Sequence, residues 1–87
     1  MSGGVTDAAI EAAIFALLAA RRPGATICPS EVARVLATDA AAWRPLMPRV
    51  REVAQSLADR RRLRVTRGGE PVSATRGGGP IRLGRPD

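Results

Sequence analysis

Apolar residues return at helical spacing in three stretches of this chain and at strand spacing in two more near its end. Ile10, Ala13, Ile14, Leu17 and Leu18 fall at i, i+3, i+4, i+7 and i+8, the pattern of a helix with one buried stripe. Thr6 stands where its hydroxyl can cap such a helix, and Asp7 where the helix dipole favours an acid. Arg21-Arg22 suit the C-terminal end, and Pro23-Gly24 stops the helix. The predicted first helix therefore runs from about Asp7 to Arg21. After a short extended piece, Thr26-Ile27, a second helix opens at Cys28-Pro29-Ser30-Glu31. Proline is tolerated at the first helical position, and Glu31 can reach back to the entering backbone. Val32, Val35 and Leu36 form its apolar side, and it ends near Thr38-Asp39.

Residues 40–45 read as an irregular connection. One uniform helix cannot pass through both Pro45 and Pro48, because an interior proline removes a backbone hydrogen bond. The third helix is expected to start between them and to end near Arg61. Leu46, Val50, Val53, Ala54 and Leu57 line its buried face, while Pro48, Arg51, Glu52, Gln55, Asp59 and Arg62 lie opposite. The expected core joins Ile14 and Leu17 to Val50, Val53 and Leu57. The period then changes. Leu63-Arg64-Val65-Thr66 and Pro80-Ile81-Arg82-Leu83 alternate apolar and polar, as half-buried strands do. Arg67-Gly68-Gly69-Glu70 reads as a turn, and Arg76-Gly77-Gly78-Gly79 as a flexible wing tip. This order predicts a mainly α fold with a small β-hairpin, a winged helix of three helices plus wing over residues 6–83. Residues 1–5 and 84–87 are expected to be flexible. A three-helix bundle with a disordered arginine-rich tail is the rival architecture.

Composition narrows the function classes. A chain of 87 residues has room for one domain and one core. Cys28 is the single cysteine, which excludes a disulfide-stapled scaffold. There is no histidine, so no Cys–His pair can form and a zinc site lacks ligands. The eight acids are scattered mostly over faces expected to be exposed, and general acid–base chemistry needs a tuned group in a pocket. No enzyme and no cofactor is expected. Gly77-Gly78-Gly79 is not followed by the Lys-Ser/Thr of a phosphate loop. The most apolar run, Ala12 to Ala20, is too short for a membrane span, and the first seven residues carry no basic segment of a signal peptide. A cytoplasmic protein without a membrane partner is the expectation.

Charge changes the picture most. Residues 1–43 carry a net −1 and residues 44–87 a net +7, giving the overall +6. A basic half suggests an anionic partner, of which nucleic acid is the usual one. All fourteen basic residues are arginine, a pattern that a GC-rich genome also produces. In a helix-turn-helix the second helix of the motif leads into the major groove; here that is the third helix. Arg44, Arg49, Arg51 and Gln55 are the candidates near its front for phosphates or base edges. Arg67, Arg76 and Arg82 are the candidates on the wing. Glu52 and Asp59 on the same face oppose phosphate, unless Arg49–Glu52 and Asp59–Arg62 form ordinary intrahelical pairs. Arg34 is expected to pair with Glu31, and Trp43 either anchors a helix junction or stacks on a base. The leading expectation is a duplex-DNA-binding protein, regulatory or nucleoid-associated, with a homodimer as one form it could take. The alternative is a non-catalytic adaptor that joins a protein partner through exposed alanines of the first helix.

Three strings resemble one family: Ile27-Cys28-Pro29-Ser30-Glu31-Val32-Ala33-Arg34, then Trp43-Arg44-Pro45-Leu46-Met47 with Val50-Arg51, and Gly79-Pro80-Ile81-Arg82-Leu83. They are similar to a small bacterial family of domains of unknown function, number 3253 in that series, over about Ile10 to Leu83. The resemblance implies a winged-helix-like fold and no defined activity. Family members often carry glycine where the third helix gives way to the next strand. Asp59-Arg60-Arg61-Arg62 has none.

Overall fold

The computed structural model describes residues 4–76 and 79–86. The expectations for residues 1–3, for Gly77-Gly78 at the wing tip and for Asp87 lie outside the described residues. Helix α1 (Asp7–Ala19) is capped by Thr6, whose Oγ1 accepts the N–H of Ala9 at 3.1 Å. It buries Ile10, Ala13, Ile14 and Leu18. Leu17 is only partly buried, a correction to the expected core. Gly24, at φ 87°, turns the chain out of the helix end.

Helix α2 (Pro29–Leu36) opens as its sequence predicts. The Cys28 N–H donates to Glu31 Oε2 at 2.9 Å, and Arg21 donates to Glu31 Oε1 at 2.7 Å. Glu31 thus closes the helix start and ties it to the end of α1, leaving no role for the expected Arg34 pair. Val35 is 58% exposed, where burial was expected. At about 100° per residue, Val32, Leu36, Pro29 and Ala33 share one arc, and Val35 lies about 60° outside it.

The connection is helical, where an irregular segment was expected. Asp39 C=O accepts from Ala42 and Trp43 N–H at 2.9 Å, nucleating α3 (Ala40–Trp43) and a 3₁₀ turn over Arg44–Leu46. Each proline stands in the first turn of its element, where a missing N–H removes no helical bond. Helix α4 (Met47–Asp59) buries Val50, Val53, Ala54 and Leu57; Leu46, before it, is only partly buried. The helix ends in a Schellman turn: Arg62 N–H donates to Leu57 C=O at 2.8 Å and Arg61 N–H to Ala58 C=O at 2.9 Å. Arg61 sits at φ 61°, in the left-handed region at the position that favours glycine.

Strand β1 (Arg64–Arg67) turns through Gly68-Gly69, both at positive φ, into β2 (Glu70–Pro71). A two-residue loop of this kind matches strand twist. Strand β3 (Arg82–Gly84) pairs antiparallel with the other edge of β1, giving the sheet order β2-β1-β3. Ile27 bridges Leu83 on the outer side of β3, with N–H···O distances of 2.9 and 2.7 Å. Three principal helices, a bridging residue between the first two and a small antiparallel sheet make this an α+β, winged-helix-like fold. The rival bundle with a disordered tail does not describe it, because Ile81 and Leu83 are buried. Order also passes residue 83: Gly84 completes β3, and Arg85 donates to Leu18 C=O at 2.8 Å. Among the described residues no helix is long and apolar enough to cross a membrane.

Candidate nucleic-acid interface

Of the four candidates at or just before α4, two are engaged inside the fold. After β2 the chain crosses onto α4 and buries Ala74. Gln55 Oε1 accepts the Ala74 N–H at 2.7 Å, and Arg51 Nη1 donates to the Ala74 C=O at 3.4 Å. Both side chains are half-buried rather than exposed as expected. The other amide end of Gln55 donates to Asp59 Oδ1 at 2.8 Å. A buried backbone N–H needs a partner, and here Gln55 supplies it.

The other candidates are dispersed. Arg49 pairs with Asp7 at 2.9 Å, so the expected intrahelical pair with Glu52 is replaced by one between helices. Arg62 likewise lies near Glu11, at 3.9 Å, rather than Asp59. Arg44 and Arg34 approach the Trp43 ring, at 5.4 and 4.8 Å from its centroid, and Trp43 packs against the core at the α2–α4 junction. Arg67 donates to the Pro80 C=O at 3.3 Å. Arg76 is exposed. Arg82 donates to Thr26 Oγ1 at 2.8 Å and to its C=O at 2.9 Å.

Glu52 stands in both clefts beside α4. One cleft there is lined by Asp7, Glu11 and Glu52 together with Arg60, and a second holds Glu52 beside Arg51 and Thr75. Among the described residues, two other clefts have no carboxylate in their lining. One lies on the outer face of the sheet, between Thr26, Arg64, Thr66, Gly84, Arg85 and Pro86. The other lies at the C-terminal ends of α1 and α4, with Phe15, Leu18 and Ala19 below and Arg61, Arg62, Arg85 and Pro86 around it. Arg85 and Pro86 belong to both, so the two form one basic furrow.

Local structure explains each furrow residue. Alternation turns Val65 and Leu83 inward, so Arg64, Thr66, Arg82 and Gly84 face out. The register sets Arg64 opposite Gly84 and Thr66 opposite Arg82, which puts Arg64 and Arg82 on one face. Gly84 lets Thr26 pack closely against β3, since a Cβ there would meet Thr26 Cγ2 at 3.1 Å. The Schellman turn throws Arg61 to the surface, and the Arg62 guanidinium lies 5.4 Å from the Phe15 ring centroid. Glu11, which pairs with Arg60 at 3.5 Å, lines the neighbouring acidic cleft. Of the furrow arginines, sequence reasoning missed Arg61, Arg62, Arg64 and Arg85. The Arg60-Arg61-Arg62 run and the outward positions of the alternating strands were the signals that could have found them.

Elsewhere, the Cys28 backbone N–H holds the Glu31 carboxyl well below its ordinary 4.5, at about 2, with Arg21 and the Cys28 thiol adding to the effect and burial opposing it. This is a structural cap away from the furrow. Among the described residues no group of His, Cys, Asp and Glu could hold a metal ion.

Residues 7–86 match the family described as a protein of unknown function (DUF3253), and the chain belongs to that family. A comparison with curated proteins finds no match.

Proposed function

We propose that this domain binds nucleic acid through its sugar–phosphate backbone, using the basic furrow rather than the outer face of α4. The observation that carries this reading is the contrast between clefts. Arg61, Arg62, Arg64 and Arg85 line a furrow that has no carboxylate among the described residues, whereas both clefts beside α4 contain Glu52. Phosphates seek arginine and avoid carboxylates, and backbone contacts give most of non-sequence-specific affinity. Arg51 and Gln55, which could read base edges, are hydrogen-bonded within the fold.

The test is binding of a labelled mixed-sequence oligonucleotide, single-stranded and duplex, over a range of salt. With about four phosphate contacts, log affinity falls with log salt at a slope of about −3 to −4. Arg64→Gln and Arg85→Gln each flatten that slope by a little under one unit, while Arg49→Gln leaves it unchanged. If neither form binds at low salt, the reading fails. The exposed alanines of α1 and exposed Val35 then become the surfaces to examine for a protein partner.

A further inference from the structure

The furrow has two unlike parts. Its sheet side has no aromatic residue in its described lining and sets Thr26, Thr66 and Arg64 over a glycine floor. Its helical side has an apolar floor in which Phe15 lies beneath the Arg62 guanidinium, 5.4 Å from the ring centroid. Phosphate recognition alone explains the arginines and leaves the aromatic floor unused. A duplex keeps its base faces stacked inside and offers none of them to a ring outside the helix. A single strand can turn a base outward, and stacking on an aromatic ring or on a planar guanidinium is indifferent to sequence. The conformation of Arg61 is a second sign. A left-handed, non-glycine residue at this turn carries a backbone cost that glycine would avoid. That cost is offset if its charge is needed at the rim.

We infer that the furrow takes a single-stranded nucleic-acid segment, with one base stacked at the Phe15–Arg62 platform and the flanking phosphates on Arg61, Arg64 and Arg85. This inference rests on the reading above and deepens it, naming the form of nucleic acid and the place of a base.

The experiment compares a short, labelled, mixed-sequence oligonucleotide with the same sequence annealed to its complement, by fluorescence anisotropy at low salt. The wild-type protein is expected to bind the single strand at least about 10-fold more tightly. Phe15→Leu keeps an apolar side chain against the core and should weaken single-strand binding by about 5- to 100-fold, with duplex binding changed less than about 2-fold. Arg62→Lys provides an exposed variant that does not threaten the fold. It keeps the charge and loses the planar group, and should likewise lower single-strand affinity selectively. Duplex binding as tight as single-strand binding overturns the inference. So does an equal effect of either substitution on both forms, or no effect of both. In each of these cases nucleic-acid binding itself survives, whereas failure of wild-type protein to bind either form removes the proposed function too.

Discussion

Gln55 accepts the backbone N–H of Ala74 at 2.7 Å, 19 residues along the chain, and Ala74 is 1% exposed. The bond joins the segment after β2 to the middle of α4 and occupies a side chain that an open recognition helix would present to DNA. Arg51 holds the carbonyl of the same residue. Part of the outer face of α4 is thereby covered by the segment around Ala74.

Gln55→Ala leaves the Ala74 N–H buried without its partner, which costs about 1–3 kcal/mol. Urea unfolding should show that loss, while nucleic-acid affinity of the folded variant stays at the wild-type level. A stability equal to wild type would mean that the Ala74 segment does not depend on this bond.

Arg61→Gly should act in opposite directions on folding and binding. Glycine adopts the left-handed conformation of the Schellman turn without steric penalty. Stability is expected to rise by about 1 kcal/mol, while affinity for nucleic acid falls through loss of one cation. A thermal melt with a lower midpoint contradicts the strain argument.

The three principal helices and strands β1 and β3 were legible because each carries its own signal. Thr6, the Pro29–Glu31 opening, the paired prolines and the Gly68-Gly69 turn are local chemistry that acts within a few residues. Val35 and Leu17 were misplaced because periodicity gives a stripe but not its width or centre. The furrow was hidden for a different reason. It exists only through the β1–β3 register and the closeness of the α1 and α4 ends, which bring Phe15, Arg62, Arg64 and Arg85 together from distant parts of the chain. Arg51 and Gln55 looked free because nothing local reveals that Ala74 folds back onto them.

Leu57 is fully buried with Ile14, Val50 and Ile81. Leu57→Ala removes buried methyl groups and leaves a cavity, at a cost of about 2–5 kcal/mol. For a domain of this size the melting midpoint should fall by about 10 °C or more. A midpoint within about 2 °C of wild type would place Leu57 outside the cooperative core.

Glu31 gives the fold an acid-sensitive element. Its carboxyl titrates at about 2 in the folded protein against an ordinary 4.5. A folded value below the unfolded one means the stabilisation is complete above about pH 4.5 and is lost as pH falls toward 2. Glu31→Gln should flatten the decline of stability over that window, measured by urea unfolding at successive pH values. An unchanged decline would assign the acid sensitivity to other carboxylates.

The most direct measurement is the salt slope of nucleic-acid affinity in two variants of equal charge change. One is Arg64→Gln with Arg85→Gln, in the furrow; the other is Arg44→Gln with Arg49→Gln, before and at the front of α4. The furrow variant is expected to lose about 1.5 units of slope and most of its low-salt affinity, with the α4 variant close to wild type. The reverse ranking would contradict the account and return recognition to α4.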